Sequence, residues 1–217
     1  MRKLVLLTLV VLVLSAGACC AGAEETNHIT ATIVYDNYVY TEGLKPDWGF
    51  ACFIQGLEET ILFDTGTRGE LLMANMEALK LDPGSVDVVV ISHFHGDHTG
   101  GLEAFFARNP KAALYVPAPK RDDFARRWEA RGVKVVWVDK PRTICPNVYL
   151  TGSMGERIIE QSLVLDTNDG TVLITGCSHP GIVEILRRAI EVRDGVVENP
   201  RILSFQERDR DYPHARR

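Results

Sequence analysis

The chain has 217 residues, 46% of them hydrophobic and 24% charged, proportions ordinary for a soluble globular protein. A formal net charge of −5 argues against a general nucleic-acid binder, which needs a positive field to meet phosphates, so no nucleic-acid partner is expected. Of its five cysteines, three lie beyond the first 23 residues, too few to suggest a disulfide framework.

In chain order, Arg2 and Lys3 precede an uncharged, mostly aliphatic stretch over residues 4–14, and small residues follow as far as Ala23. Positive, apolar, small is the order of a secretory signal, so residues 1–23 read as a signal peptide cut after Ala21-Gly22-Ala23. The apolar core is short of the ~20 residues a spanning helix needs. A periplasmic or secreted protein starting at Glu24 is therefore expected. Ala16-Gly17-Ala18-Cys19 offers the alternative of a lipid anchor at Cys19, holding the protein at the membrane surface. Cleavage leaves about 190 residues, enough for one domain with a sizeable core. It also leaves Cys52, Cys145 and Cys177, which cannot all pair within one chain.

The domain spans residues 24–205. Residues 29–40 are rich in β-branched and aromatic side chains and predict a strand; 50–54 and 60–63 predict two more, joined by a turn at Gly56. Leu71, Leu72, Met76 and Leu79 recur at helix spacing within 68–81, and Pro83-Gly84 stops that helix. Residues 86–91 read as a buried strand. Beyond them, 113–116, 133–138, 148–151, 162–165 and 171–175 predict strands, and 121–130 and 182–192 predict helices. Irregular alternation with hairpin-linked strands predicts a layered α/β or α+β sandwich rather than a parallel barrel. Ile202-Leu203-Ser204-Phe205 is a place where one more strand can begin. Residues 206–217 form a charged C-terminal tail, to which His214 is assigned.

The richest stretch is Ser92-His93-Phe94-His95-Gly96-Asp97-His98-Thr99-Gly100-Gly101, which holds three of the six histidines. Clustered imidazoles beside a carboxylate suit zinc and similar ions. His93 and His95 project to one side of an extended backbone, and Gly96 lets the chain turn before Asp97 and His98. One loop can thus present two ligands to one metal and two to a neighbour. Gly100 and Gly101 permit close backbone packing beneath the site and lead into the next helix. Ser162 and Ser178 lie in no nucleophile elbow. Trp48 and Phe50 read either as pocket lining or as core aromatics.

Here the chain resembles the metallo-β-lactamase superfamily, over roughly residues 29–189. The resemblance rests on Leu62-Phe63-Asp64-Thr65-Gly66, on Ser92 to Gly101, and on Thr175-Gly176-Cys177-Ser178-His179-Pro180-Gly181. Trp48-Gly49-Phe50, Leu72-Met73-Ala74-Asn75-Met76 and Glu160-Gln161-Ser162-Leu163 point to its branch of dihydropterin-6-methyl-aminobenzene-ribofuranosyl-phosphate synthase-like proteins. The resemblance implies an αββα sandwich, C-terminally shortened relative to the branch, with its site at one sheet edge. It implies His93, His95, Asp97, His98 and His179 as metal ligands, Asp97 as the catalytic carboxylate, and Asp64 as a support behind the ligands. Cys177 reads as a thiolate ligand or a small buried residue. The superfamily's loop histidine has no counterpart in residues 150–157, and no late histidine sits on a strand.

The function expected is an exported metallo-hydrolase using a metal-activated hydroxide on an ester, phosphodiester or related bond of a small-molecule substrate, β-lactams being disfavoured by the branch. The cofactor expected is Zn2+, one or two ions, with Mn2+ or Fe2+ as substitutes. A metal-binding module without turnover, or a synthase or transferase of the dihydropterin-phosphate type, are the alternatives. A homodimer, covering sheet surface left open by a shortened C-terminus, is a further expectation.

Overall fold

A computed structural model describes residues 28–39, 41–119, 122–193 and 201–204. The signal peptide, Cys19, the charged tail and His214 lie outside them.

Two sheets stack face to face. The first has strands β1 (Thr30–Tyr35), β2 (Ala51–Gln55), β3 (Ile61–Phe63), β4 (Val88–Val90), β5 (Ala113–Pro117) and β6 (Val135–Val138), side by side in that order. β1, β2 and β3 pair antiparallel; β3 to β6 pair parallel. The second runs β11 (Arg201–Ser204), β10 (Gly170–Thr175), β9 (Leu163–Thr167), β8 (Val148–Leu150) and β7 (Arg142–Cys145), antiparallel except for β10–β11. The described residues also hold helices α1 (Gly69–Ala78), α2 (Gly96–Thr99), α3 (Leu102–Arg108), α4 (Asp122–Glu129) and α5 (Ile182–Val192), with a 3-10 turn over Pro83–Ser85.

Strand periodicity sorts the side chains into layers. In the first sheet Phe53, Leu62 and Val89 face outward to Leu72 and Met76 of α1, Phe105 of α3 and Trp128 of α4. Their neighbours Cys52, Ile54, Ile61, Phe63, Val88 and Val90 face inward, against Val148, Leu150, Leu163, Leu165 and Ile174. Val164 and Leu173 face out of the second sheet onto Ile185 and Ala189 of α5. The layers are therefore helix, sheet, sheet, helix, which is the αββα sandwich expected.

The departures have local causes. The first helix stops at Ala78, before the Pro83-Gly84 break, because Lys80 turns left-handed at φ 57°. Asn75, buried on that helix, donates to the Val34 and Lys45 carbonyls and so ties α1 to the β1 edge. β7 has no counterpart among the predicted strands: Arg142-Thr143-Ile144-Cys145 is half polar and preceded by Pro141. It forms because Asn147, left-handed at φ 64°, turns the chain back into β8. Phe50 is core, edge-on to Phe63 at 6.3 Å, while Trp48 is partly exposed.

Candidate metal centre

Parallel pairing of β3 and β4 aligns Phe63 with Val90, so Asp64 and the Ser92–His98 loop leave the sheet at the same edge. β10 of the opposite sheet ends there too, delivering Cys177 and His179 ahead of α5. The floor is main chain: a Cβ on Gly100 would fall on the Thr67 carbonyl, and one on Gly101 on the Thr65 carbonyl. Gly96 opens α2 in open space, where a Cβ would meet nothing within 4 Å, and its φ is not positive, so helix initiation rather than glycine freedom turns the loop.

His93, His95 and His179 converge, with His93 Nε2 3.1 Å from His95 Nδ1 and 3.2 Å from His179 Nε2. His93, His98 and Cys177 form a second group, with His98 Nε2 3.2 Å from Cys177 Sγ. The donor atoms of each group lie within 4.8 Å of one another. Asp97 Oδ2 lies 3.5 Å from His98 Nε2, on the Cys177 side of the cluster. All six residues therefore meet at one place.

Behind them sits Asp64, sealed from solvent and held at φ 59°, a left-handed turn that aspartate tolerates better than most residues. Its Oδ1 accepts the Ser92 N–H at 2.7 Å, and its Oδ2 accepts the Ser92 hydroxyl at 2.7 Å. With its hydrogen committed to Asp64, Ser92 Oγ accepts from His93 Nδ1 at 3.0 Å, which leaves the His93 Nε2 lone pair free for the centre. His98 Nδ1 donates to Asp64 Oδ2 at 2.6 Å, directing Nε2 toward Cys177.

The electrostatics follow. Burial pushes the His93 imidazole down to about 2, with His98, His179 and His95 adding to it, so His93 stays neutral and ligand-ready. Burial also opposes charge on His98, but the Asp64 carboxylate prevails and holds it well above the usual imidazole value. Burial would raise the Asp97 carboxyl, yet the His98 hydrogen bond and charge hold it at about 2. Burial raises the Cys177 thiol above its ordinary value, the hydrogen bond and charge of His98 pulling the other way without prevailing. Imidazoles, a carboxylate and a thiol are the donor set of zinc-type sites, and the residues fit such an ion: with one proton kept on Nδ1 against Asp64, His98 would turn a bare Nε2 to a cation that takes the place of its second proton.

Sequence reasoning uses Glu160 only as a mark of resemblance. In the structure it is 1% exposed; it accepts the Thr175 hydroxyl at 2.9 Å and the Ser178 and His179 N–H groups at 3.1 and 2.9 Å. Burial raises its carboxyl, those three donors pulling the other way. Its signal in the sequence is an acid entering the run Ile158-Ile159-Glu160-Gln161-Ser162-Leu163, where it must be buried and satisfied. A cavity of about 390 Å³ opens against His95, lined by Phe94, Ala118, Pro119, Ile158 and Ile159, with Arg157 as its charged member.

The αββα layers and a histidine-rich centre at the shared sheet edge define a metal-binding αββα protein. The sequence matches the metallo-β-lactamase superfamily over residues 49–201, and the chain belongs to that superfamily. It is 26% identical over 185 residues to a 7,8-dihydropterin-6-methyl-4-(β-D-ribofuranosyl)-aminobenzene-5'-phosphate synthase of Methanocaldococcus jannaschii, covering 63% of this chain and only 62% of that protein. A shorter match, 41% over 66 residues, covers 29% of this chain and 20% of a ribonuclease Z of Thermococcus onnurineus. Among solved structures, Tm1679, a metal-dependent hydrolase of the β-lactamase superfamily, shares the fold with a TM-score of 0.57 and 24% identity, over 76% of this chain and 72% of its own. The short form of human tRNase Z does so with a TM-score of 0.53 and 17% identity, over 74% and 73%.

Proposed function

We propose that this protein is a metal-dependent hydrolase acting on an ester, phosphodiester or related bond of a small molecule, with zinc as its ion. The observation that carries the reading is the pair of donor groups, His93/His95/His179 and His93/His98/Cys177, packed at one sheet edge. His93, His95 and His179 would hold one ion; His98, Cys177 and Asp97 would hold a second beside it. A divalent cation there supplies Lewis acidity, polarising a carbonyl or phosphoryl oxygen and acidifying a water. Asp97, ionised and part exposed, accepts a hydrogen from the attacking water and orients it. The apolar walls of the cavity beside His95 suit an acyl or aryl body, and Arg157 on its lining suits an anionic substituent.

The test is a metal titration of the chelated protein paired with phosphodiester, lactone, thioester and β-lactam substrates. Turnover that disappears with chelator and returns with zinc is expected. Stoichiometric metal without turnover on any of them would replace this reading with a binding module. A synthase reaction of the dihydropterin-phosphate type, as in the name of the Methanocaldococcus relative, would show as product formation without water consumption. We also propose export, supported by Arg2-Lys3, the apolar residues 4–14 and Ala21-Gly22-Ala23. Mass spectrometry of the protein from cells should find Glu24 at the N-terminus; an intact Met1 would reject export, and a lipidated Cys19 would place the protein on a membrane.

A further inference from the structure

We propose that Glu160 is a positioning residue that holds Cys177 and His179 as a pair against the His93–His98 loop. The inference rests on the metal-centre reading above for its consequence, though not for its geometry.

Cys177 and His179 are separated by Ser178, which is left-handed at φ 60°. A residue so folded turns its own N–H and the next one toward a common point, forming a concavity that binds an anion. Here the anion is the chain's own: Glu160 receives the N–H groups of Ser178 and His179, one on each carboxylate oxygen. Thr175, at the end of β10, adds its hydroxyl to Oε1. No lysine or arginine among the described residues pairs with Glu160, so backbone dipoles and one hydroxyl carry its compensation. That is a demanding place for a carboxylate, and replacing it with an apolar side chain would leave two inward-facing N–H groups unmet.

The neighbouring residue grips the other half of the site. Consecutive side chains of an extended segment point to opposite sides. Gln161 donates from Nε2 to the Ile91 carbonyl at 2.8 Å, and its N–H donates to the Ser92 carbonyl at 2.9 Å. Glu160 and Gln161 thus span the gap between the two ligand-bearing loops, one loop from each sheet. The spacing between His93 and His179 is set across this dipeptide rather than by contact of the loops alone.

Glu160→Gln is the direct test. It keeps the shape but turns one acceptor into a donor facing a backbone N–H. Two readouts apply to the full mature chain. In the chelated, 15N-labelled protein, the Ser178 and His179 amide protons are expected to exchange at least about tenfold faster in the variant than in the wild type. With cobalt as the probe, affinity is expected to fall about 10–100-fold, as for other groups that orient ligands, and sulfur-to-cobalt absorption from Cys177 to weaken. A folded Glu160→Gln protein with wild-type amide exchange and wild-type cobalt affinity overturns the proposal. If Glu160→Gln does not fold, Glu160→Asp takes its place, since it keeps the charge but is one methylene too short to reach all three donors. Unchanged exchange and affinity there overturn the proposal equally. Wild-type protein that binds no cobalt would defeat the metal reading instead, and amide exchange alone would then decide on Glu160.

Discussion

Asp64 Oδ2 stands 2.6 Å from His98 Nδ1, and both side chains are fully enclosed. The same oxygen takes the Ser92 hydroxyl that receives His93 Nδ1, so one carboxylate fixes which nitrogen two imidazoles turn to the centre. Asp64→Asn would present an amide N–H to at least one of these donors. Metal affinity is expected to fall about 10–100-fold, with the fold retained. Isothermal titration with zinc checks this; wild-type affinity would mean that the Asp64 network does not govern the ligands.

Ligand substitutions should separate the two donor groups. His93→Ala and His95→Ala are each expected to remove metal from the first group only, and Cys177→Ala from the second only. Elemental analysis of folded, dialysed variants gives the count per chain. Metal content unchanged from wild type in any of the three, or a Cys177→Ala/His95→Ala double variant that loses no more than either single one, would show that the groups do not act as assigned.

Thiol chemistry offers an independent probe. Burial pushes Cys52 up to about 12, so it should resist iodoacetamide at about pH 8. Burial raises Cys177 too, against the pull of His98, but not as far, and it is less enclosed, so at about pH 9 to 10 it should alkylate in the chelated protein well ahead of Cys52 and be protected once zinc is added. Peptide mass mapping reads both outcomes. Zinc that leaves Cys177 labelling unchanged would remove the thiol from the ligand set.

Acid should weaken one contact near the site in a defined way. Burial opposes charge on Asp47, but the hydrogen bonds from Arg68 and Tyr35 prevail and bring its carboxyl below the ordinary 3.8. A depressed carboxyl contributes stability that is present above 3.8 and lost as pH falls through the folded-state value. Asp47→Asn should therefore lower the melting temperature slightly at about pH 7, by a few degrees at most because Arg68 is solvent-screened. The gap to wild type should close as pH drops below 3.8. A gap that stays constant through that acid range would contradict the assignment.

Arg157 should discriminate by charge. Arg157→Ala is expected to weaken phenyl phosphate binding about tenfold while leaving benzyl alcohol binding unchanged, measured on chelated protein to keep metal out of the comparison. Equal weakening of both would point to a change in cavity shape instead.

Much of this was legible in the sequence because it is local. The strands within 86–91 and 171–175 announce themselves by β-branched runs, and the His93–His98 spacing sits on nearly consecutive residues. The rest depends on pairing at a distance. β7 is polar at half its positions and gains its place only through β8. Glu160 meets Ser178 and His179 only after β9 and β10 form their hairpin. A strand beginning near residue 202 is readable from its aliphatic residues, but its parallel partner β10 lies across α5 and a stretch no periodicity reveals.

His93 belongs to both donor groups, and its Nε2 offers a single lone pair. Two ions arriving in sequence would compete for that one nitrogen. The first to load would take it, and the second would settle into a poorer coordination shell with a positive neighbour close by. Titration of the intact protein should then give a two-phase isotherm, a tight step followed by a weak one. At low metal supply the protein would hold a single ion, and its activity would depend on how scarce the second ion is in its surroundings.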